Sequence, residues 1–289
     1  MNATSLSRPS DAVRRTVRRR ARRPVGTGAI RALILRDWGV MRSYRAALIL
    51  DLAFGFVNLT AYHFISQTVR PRFGAELQGA PSYFAFAAVG IALMVVLQAS
   101  VTGLARRLRE EQLAGTLEML LAQPISSAEL ALGLAGFPFL FAIFRALAYL
   151  LLGGAFLGLS FAHCDWVGLL VSFLVSGFAF AAIGIVLASL VVVFKRAEAA
   201  ATVGTAVIGL LGGAVFPIAV LPAWLKPVAT IIPTRFALNA VRGALFGTHA
   251  WAGSALTLLI VGACLMVAAL CLFGAAVRLV IRLGTVSQY

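Results

Sequence analysis

The strongest constraint on this chain is a series of apolar stretches that are each long enough to cross a lipid bilayer. A helix needs around 20 mainly apolar residues to cross about 30 Å of hydrocarbon. Charged residues make up only 12% of the 289 residues and hydrophobic residues 61%, whereas soluble domains carry roughly 25% charged residues. A soluble core cannot hide so much apolar surface, so we predict an all-α integral membrane protein. The six predicted spans are 46–69, 81–105, 132–161, 166–194, 199–220 and 251–277.

The basic residues indicate how these spans are oriented. Of the 25 Lys and Arg residues, twelve lie between Arg8 and Arg45, before or at the start of the first span. With that end inside, nineteen lie on the inner side and five on the outer side, as the positive-inside rule requires. We therefore predict a multi-pass protein of the cell membrane with both termini in the cytoplasm. Residues 1–27 are predicted to be a disordered tail that touches anionic lipid and not nucleic acid, and residues 28–289 the membrane domain.

A helix that lies on the membrane is predicted before the first span. Its apolar residues recur at helical spacing, and its charged residues are predicted to point to water. The apolar positions are Ile30, Ile34, Trp38 and Met41, and the charged ones are Arg36, Asp37 and Arg42. This pattern is typical of an interfacial amphipathic helix with a tryptophan anchor.

The outer segment between the fifth and sixth spans stays apolar but cannot form one helix. Four of the ten prolines interrupt it, at positions 217, 222, 227 and 233. Near its end, Arg235, Asn239 and Arg242 form a polar stripe at helical spacing. Leu238, Val241 and Leu245 lie on another face. We predict short re-entrant helices that dip into or lie on the outer leaflet.

The cytoplasmic loop between spans two and three contains a short amphipathic segment. Leu113, Leu117 and Leu120 form one face of a predicted helix over 106–123, and Glu111, Gly115 and Glu118 lie nearly opposite. Pro124 ends that helix at Gln123. Ser126 and Glu129 have the spacing of a capping box that begins the next helix. The pattern alone fits equally a surface helix and a contact on which another protein pushes.

The sequence of this loop resembles the cytoplasmic signature of ABC-2-type permeases, the membrane subunits of one class of ATP-binding-cassette exporters. The matching positions are Glu111, Gly115, Thr116, Leu117, Glu118, Leu120, Leu121, Pro124, Ile125 and Ser126. The outer segment resembles the re-entrant helices of the same family at Phe216, Pro217, Leu221, Pro222, Trp224, Leu225, Pro233, Arg242 and Gly247. The resemblance extends from about residue 28 to the end, and the long basic tail departs from it.

The resemblance implies that the loop helix couples the spans to a separate ATPase that binds ATP and Mg. The expected coupling residues are Glu111, Gly115, Thr116, Leu117, Glu118 and Pro124. The resemblance also implies a dimer, of two copies or of two different permeases, with the cargo path between the subunits. The chain has no G-x-x-x-x-G-K-[ST] phosphate loop, so we expect a transport subunit that is not an enzyme and binds no cofactor itself.

The cargo and the energy source have alternatives. Sparse polar residues in the spans suit an amphipathic or lipid-linked cargo better than a small ion. The main rival function is an ATP-independent carrier or channel, which a repeat with matching broken helices would favour. The proline-rich outer segment has no counterpart in the first half of the chain. A membrane enzyme is less favoured still, because no catalytic group is evident.

Two ionisable residues inside spans are candidates for the cargo path, namely Asp51 and Arg145. Arg145 fits equally well in the path or as a partner for neighbouring helices, whereas Asp51 is favoured as structural. We predict no direct pair, because the two lie roughly 8 Å and roughly 20 Å from the inner ends of their predicted spans. The histidines lack metal-ligand spacing, so no metal site is expected.

Overall fold

The computed structural model describes residues 27–43, 45–68, 77, 79–115, 119, 126–193, 197–247 and 251–283. The described chain is helical and contains no strand in these ranges, which confirms the all-α prediction. The helices are α1 (Thr27–Ser43), α2 (Arg45–Thr68), α3 (Tyr83–Leu113), α4 (Ser127–Leu157), α5 (Trp166–Val193), α6 (Ala197–Leu211), α7 (Lys226–Ile231), α8 (Pro233–Phe246) and α9 (Trp251–Leu283). Four of the predicted coupling residues, Thr116, Leu117, Glu118 and Pro124, lie outside the described residues, as does the predicted tail up to residue 26.

Among the described residues, five helices are long and apolar enough to cross a membrane, namely α2, α3, α4, α5 and α9. The fifth predicted span, 199–220, does not form one helix. Its helix, α6, has 15 residues and a length of about 22 Å, and it ends at Leu211 before a turn in which Gly213 has a φ of 88°. The prediction of a helix through Val220 is therefore wrong in its second half. The paired glycines at 212 and 213 allow the chain to leave the helix there.

The first turn of α4 is fixed by the capping chemistry that the sequence predicted. The Ser126 side chain accepts a hydrogen bond from the Glu129 backbone N–H at 3.1 Å. The Glu129 carboxylate accepts one from the Ser126 N–H, so both halves of the capping box are present. α4 contains 31 residues, which corresponds to about 46 Å. Because hydrocarbon is about 30 Å thick, α4 is longer than a membrane requires.

The central helix of the bundle is α3. In its most apolar stretch 72% of the residues are buried, against 11% in α2. α3 packs against α4 and α5, and α5 packs along α9. One buried cluster, which includes Phe86 and Phe173, fills the half of the bundle near α8. A second, which includes Leu104 and Phe273, fills the half near α1. We call these two ends of the bundle the α8 end and the α1 end.

α1 and α2 both run along α4, one after the other. Leu33 and Ile34 of α1 lie against Gly133 and Gly136, where an added Cβ would overlap the two side chains. Further along, Gly55 of α2 meets the Tyr149 ring in the same way. Along α4, the first contacts are therefore made by α1 and the later ones by α2. It follows that α1 is held by protein contacts on α4, besides any contact with lipid.

Candidate functional site

The centre of the α1 end is a buried carboxylate, Asp37. Its side chain is 2% exposed, which contradicts the prediction that Asp37 points to water. Arg36 lies 3.1 Å from one carboxylate oxygen and Arg107 of α3 lies 3.3 Å from the other. Burial of an unpaired carboxylate is costly, and two guanidinium groups offset that cost. Asp37 therefore fixes α1 to the last turns of α3.

A second ion pair joins the same two helices. Arg36 Nη2 lies 2.9 Å from Glu111 Oε1. Desolvation lowers the pKa of Arg36, but the carboxylates of Asp37 and Glu111 outweigh it, and the pKa is raised overall. Glu111 was predicted to face outward on a coupling helix. In the structure its carboxylate pairs with Arg36 of α1, and its side chain is 14% exposed.

The end of α3 also differs from the predicted helix over 106–123. Residues from Arg106 to Leu113 continue α3, and a turn follows in which Gly115 has a φ of 70°. A residue with a side chain is strained in this conformation, so Gly115 ends the helix. Leu113, on the leucine face of the predicted helix, is 71% exposed, and Met119 beyond the turn is 68% exposed. We call these two exposed apolar residues, Leu113 at the end of α3 and Met119 beyond the turn, the tip of α3.

Asp51 and Arg145 form a direct ion pair, contrary to the prediction. Arg145 Nε lies 2.6 Å from Asp51 Oδ2. The Tyr149 hydroxyl donates to the Asp51 backbone carbonyl at 3.1 Å and accepts from Arg145 Nη2 at 3.4 Å. The prediction failed because α1 occupies the first part of α4. α2 therefore meets α4 only further along, at the level of Arg145.

A cavity of about 400 Å³ lies between α3 and α4. It lies beside the ion pairs of Asp37, Glu111 and Asp51, which we call the charged network. Its polar lining consists of Gln98, Thr102, Arg106, Arg107, Glu110 and Arg145. Its apolar lining includes Phe137, Pro138 and Phe141. We call this cavity the α3–α4 groove. It extends from Arg145 in the bundle to Arg106 at the α1 end, so it joins the two ion-pair clusters.

At the α8 end, one of the predicted re-entrant residues, Arg242, is buried in the bundle. Arg242 was predicted on a polar stripe with Arg235 and Asn239, and its side chain is only 1% exposed. Its Nη2 donates to the carbonyls of Phe86, Gly213 and Ala214 at 3.2, 3.1 and 3.4 Å. The guanidinium carbon lies 3.5 Å from the Phe86 ring centroid, a cation–π geometry. The cation thus stabilises carbonyls just beyond the C-terminus of α6, where a helix leaves acceptors without internal partners.

The other predicted residues of the outer segment have different roles. Pro233 is the first residue of α8, a position that suits proline. Pro217 is buried and Pro222 exposed, while Phe216 and Trp224 are large exposed side chains. Leu238, Val241 and Leu245 are buried, which confirms the predicted apolar face of α8. α8 therefore packs its apolar face inside the bundle.

Comparison with known proteins gives one finding that covers most of the chain. A family model described as ABC-2 type transporter matches residues 13–246. The matched region contains the charged network, the α3–α4 groove, the exposed tip of α3 and Arg242. No curated protein sequence matches the chain.

Proposed function

Because the chain belongs to the ABC-2 type transporter family and is a membrane-spanning permease component, we propose that it works with a separate ATPase to export an amphipathic or lipid-linked molecule. The family match over residues 13–246 carries this proposal. ABC-2 permeases normally pair with an ATP-binding cassette ATPase. In this proposal ATP and Mg bind to that partner, and this chain is the non-catalytic transport subunit.

The ATPase is proposed to dock at the α1 end, on the segment that begins at the exposed tip of α3. The tip presents the apolar side chains of Leu113 and Met119. The resemblance adds Thr116, Leu117, Glu118 and Pro124 to this contact. α3 has 31 residues without a break, so a push on its tip reaches the centre of the bundle. The ion pairs of Asp37 and Glu111 make α1 move with it.

A second permease subunit is proposed to complete the cargo path. α2 contributes little to the core of one subunit and exposes Ile49, Phe54 and Val57. These side chains face lipid or a neighbouring subunit. In the proposed orientation the permease domain, residue 28 onward, lies in the cell membrane with both termini in the cytoplasm. The Arg-rich start of the chain supports this orientation through the positive-inside rule.

Photo-crosslinking from the tip of α3 tests the proposed docking. A photoreactive amino acid at Leu113 or Met119, in native membranes, is expected to crosslink to a protein that is also labelled by 8-azido-ATP. The matched control is Trp224, which is 74% exposed and belongs to the outer segment of the α8 end. It is expected to give no such product. An azido-ATP-labelled product from Trp224 and none from Leu113 or Met119 would contradict the proposal.

A further inference from the structure

We infer that the α3–α4 groove binds a phosphate group that carries an apolar tail, as in an anionic lipid. The groove combines guanidinium groups with a lining of aromatic and small apolar side chains. Guanidinium donors match phosphate oxygens in geometry as well as charge. This inference rests on the proposed function only in treating the bound molecule as cargo, because binding itself requires no ATPase.

The charged lining of the groove favours an anion. Three arginines and one carboxylate, Glu110, line it. Asp37 and Asp51 offset the charges of Arg107 and Arg145 but do not themselves line the groove. In the described part of the chain, no carboxylate lies within ion-pair distance of Arg106. With Asp37, Asp51 and Glu110 counted, three carboxylates balance the three arginines, so the preference for an anion comes from the guanidinium N–H donors that line the groove, above all those of Arg106.

Arg107 and Arg145 supply donors whose positions are already fixed. A guanidinium group has five N–H donors. Arg145 Nε lies 2.6 Å from Asp51 Oδ2, and its Nη2 donates to the Tyr149 hydroxyl. The two terminal nitrogens of Arg107 lie 3.3 Å from Asp37 Oδ2 and from Glu110 Oε2. Each group keeps N–H donors beyond those contacts. Fixing the guanidinium in advance reduces the conformational entropy that binding would cost.

The apolar lining of the groove continues toward the surface of α4. The rings of Phe137 and Phe141 stack with centroids 5.9 Å apart, and those of Phe141 and Phe144 with centroids 6.2 Å apart. Phe144 is exposed, as is Leu140 beside it. A hydrocarbon tail can follow this row of rings from the groove to the surface. Free phosphate has no apolar tail, so the row of rings adds nothing to its binding affinity.

Counting bound ligand on the purified full chain tests the inference. The chain in detergent is titrated with dioleoyl phosphatidic acid, with dioleoyl phosphatidylcholine or with inorganic phosphate, and bound molecules are counted by native mass spectrometry. Phosphatidic acid is expected to bind most tightly, because only it joins an accessible phosphate to an apolar tail. Arg106→Gln is expected to weaken this binding about tenfold, the effect of losing one charge-assisted contact.

Two further variants separate the groove from general surface effects. Arg278→Gln removes an exposed arginine of α9 at the α1 end of the bundle. This change is expected to leave phosphatidic acid binding unchanged. Ala99→Phe fills the apolar part of the groove without a change of charge and is expected to weaken phosphatidic acid binding. Because Arg106 is exposed, its replacement tests the inference even if the Ala99 variant fails to fold.

Three outcomes would overturn the inference. Equal binding of the two lipids to the wild type would show a nonspecific lipid shell. Equal weakening by Arg106→Gln and Arg278→Gln would show a surface-charge effect. Inorganic phosphate bound as tightly as phosphatidic acid would show a free-anion site. Specific lipid binding without an azido-ATP crosslink at the α3 tip would support the groove and contradict the ATPase contact, so the two failures are distinguishable.

Discussion

Replacing Arg242 by methionine is expected to lower the thermal unfolding temperature in detergent by about 6–12 °C. Methionine keeps an apolar side chain of similar length but donates nothing to the carbonyls of Gly213 and Ala214. A buried carbonyl without a donor costs about 1–3 kcal/mol. Release of a buried charge returns part of this energy, so we expect a net loss of about 3 kcal/mol, and each kcal/mol corresponds to roughly 2–4 °C.

Two other variants sharpen this prediction. Arg242→Lys keeps the charge but loses the planar fork over the Phe86 ring, so an intermediate loss is expected. Arg235→Met, on the same helix but only partly buried, is the matched control and is expected to change stability by about 0.5 kcal/mol or less. If Arg242→Met unfolds at the wild-type temperature, the cost of burying the guanidinium equals the value of its hydrogen bonds, and Arg242 does not hold α6 to α8.

Replacing Asp37 by asparagine is expected to destabilise the protein by about 2 kcal/mol. Breaking a fully buried ion pair costs about 3–5 kcal/mol, but Arg36 and Arg107 are partly exposed, at 41% and 29%, so water screens part of the effect. Both arginines also keep a second carboxylate, Glu111 and Glu110. Thermal unfolding of the purified variant measures the loss.

A double-mutant cycle distinguishes a specific pair from general damage to α1. Adding Arg107→Gln to Asp37→Asn removes both charges of the pair, so the double variant is expected to lose less than the sum of the two single variants. Arg31→Gln on the same helix, at an exposed position, serves as the control and is expected to be close to wild type. Strictly additive losses from Asp37 and Arg107 would show that the two side chains do not interact.

The elements that the sequence predicted well depend on local chemistry. The apolar runs located five spanning helices, because an apolar stretch of about 20 residues has few other stable structures. Ser126 and Glu129 located the start of α4, because a capping box involves only four consecutive residues.

The errors arose where distant parts of the chain meet. The Asp51–Arg145 pair depends on how far α4 extends before it meets α2, and no local pattern states this length. The burial of Arg242 depends on the carbonyls beyond α6 that surround it, about 30 residues earlier in the chain. Such contacts are properties of the packed bundle.

Two errors had a local signal that the predictions did not use. Asp37 lies in helical register with Ile30, Ile34 and Met41, so an acidic residue occupied the apolar stripe of α1. That position indicates a buried carboxylate that needs a cationic partner. The Gly-Gly pair at 212–213 interrupted the fifth predicted span, and consecutive glycines commonly mark a turn.

We propose that a separate ATPase drives this permease through the segment that follows the tip of α3. The most direct measurement is ATP hydrolysis in the eluate when the full chain is captured from gently solubilised native membranes. The wild type and the charge-reversed control Arg278→Glu are expected to co-purify ATPase activity, and Glu118→Lys is expected to lose it. Absence of activity from all three samples would contradict the ATP-driven mechanism, and equal activity in all three would contradict docking at Glu118.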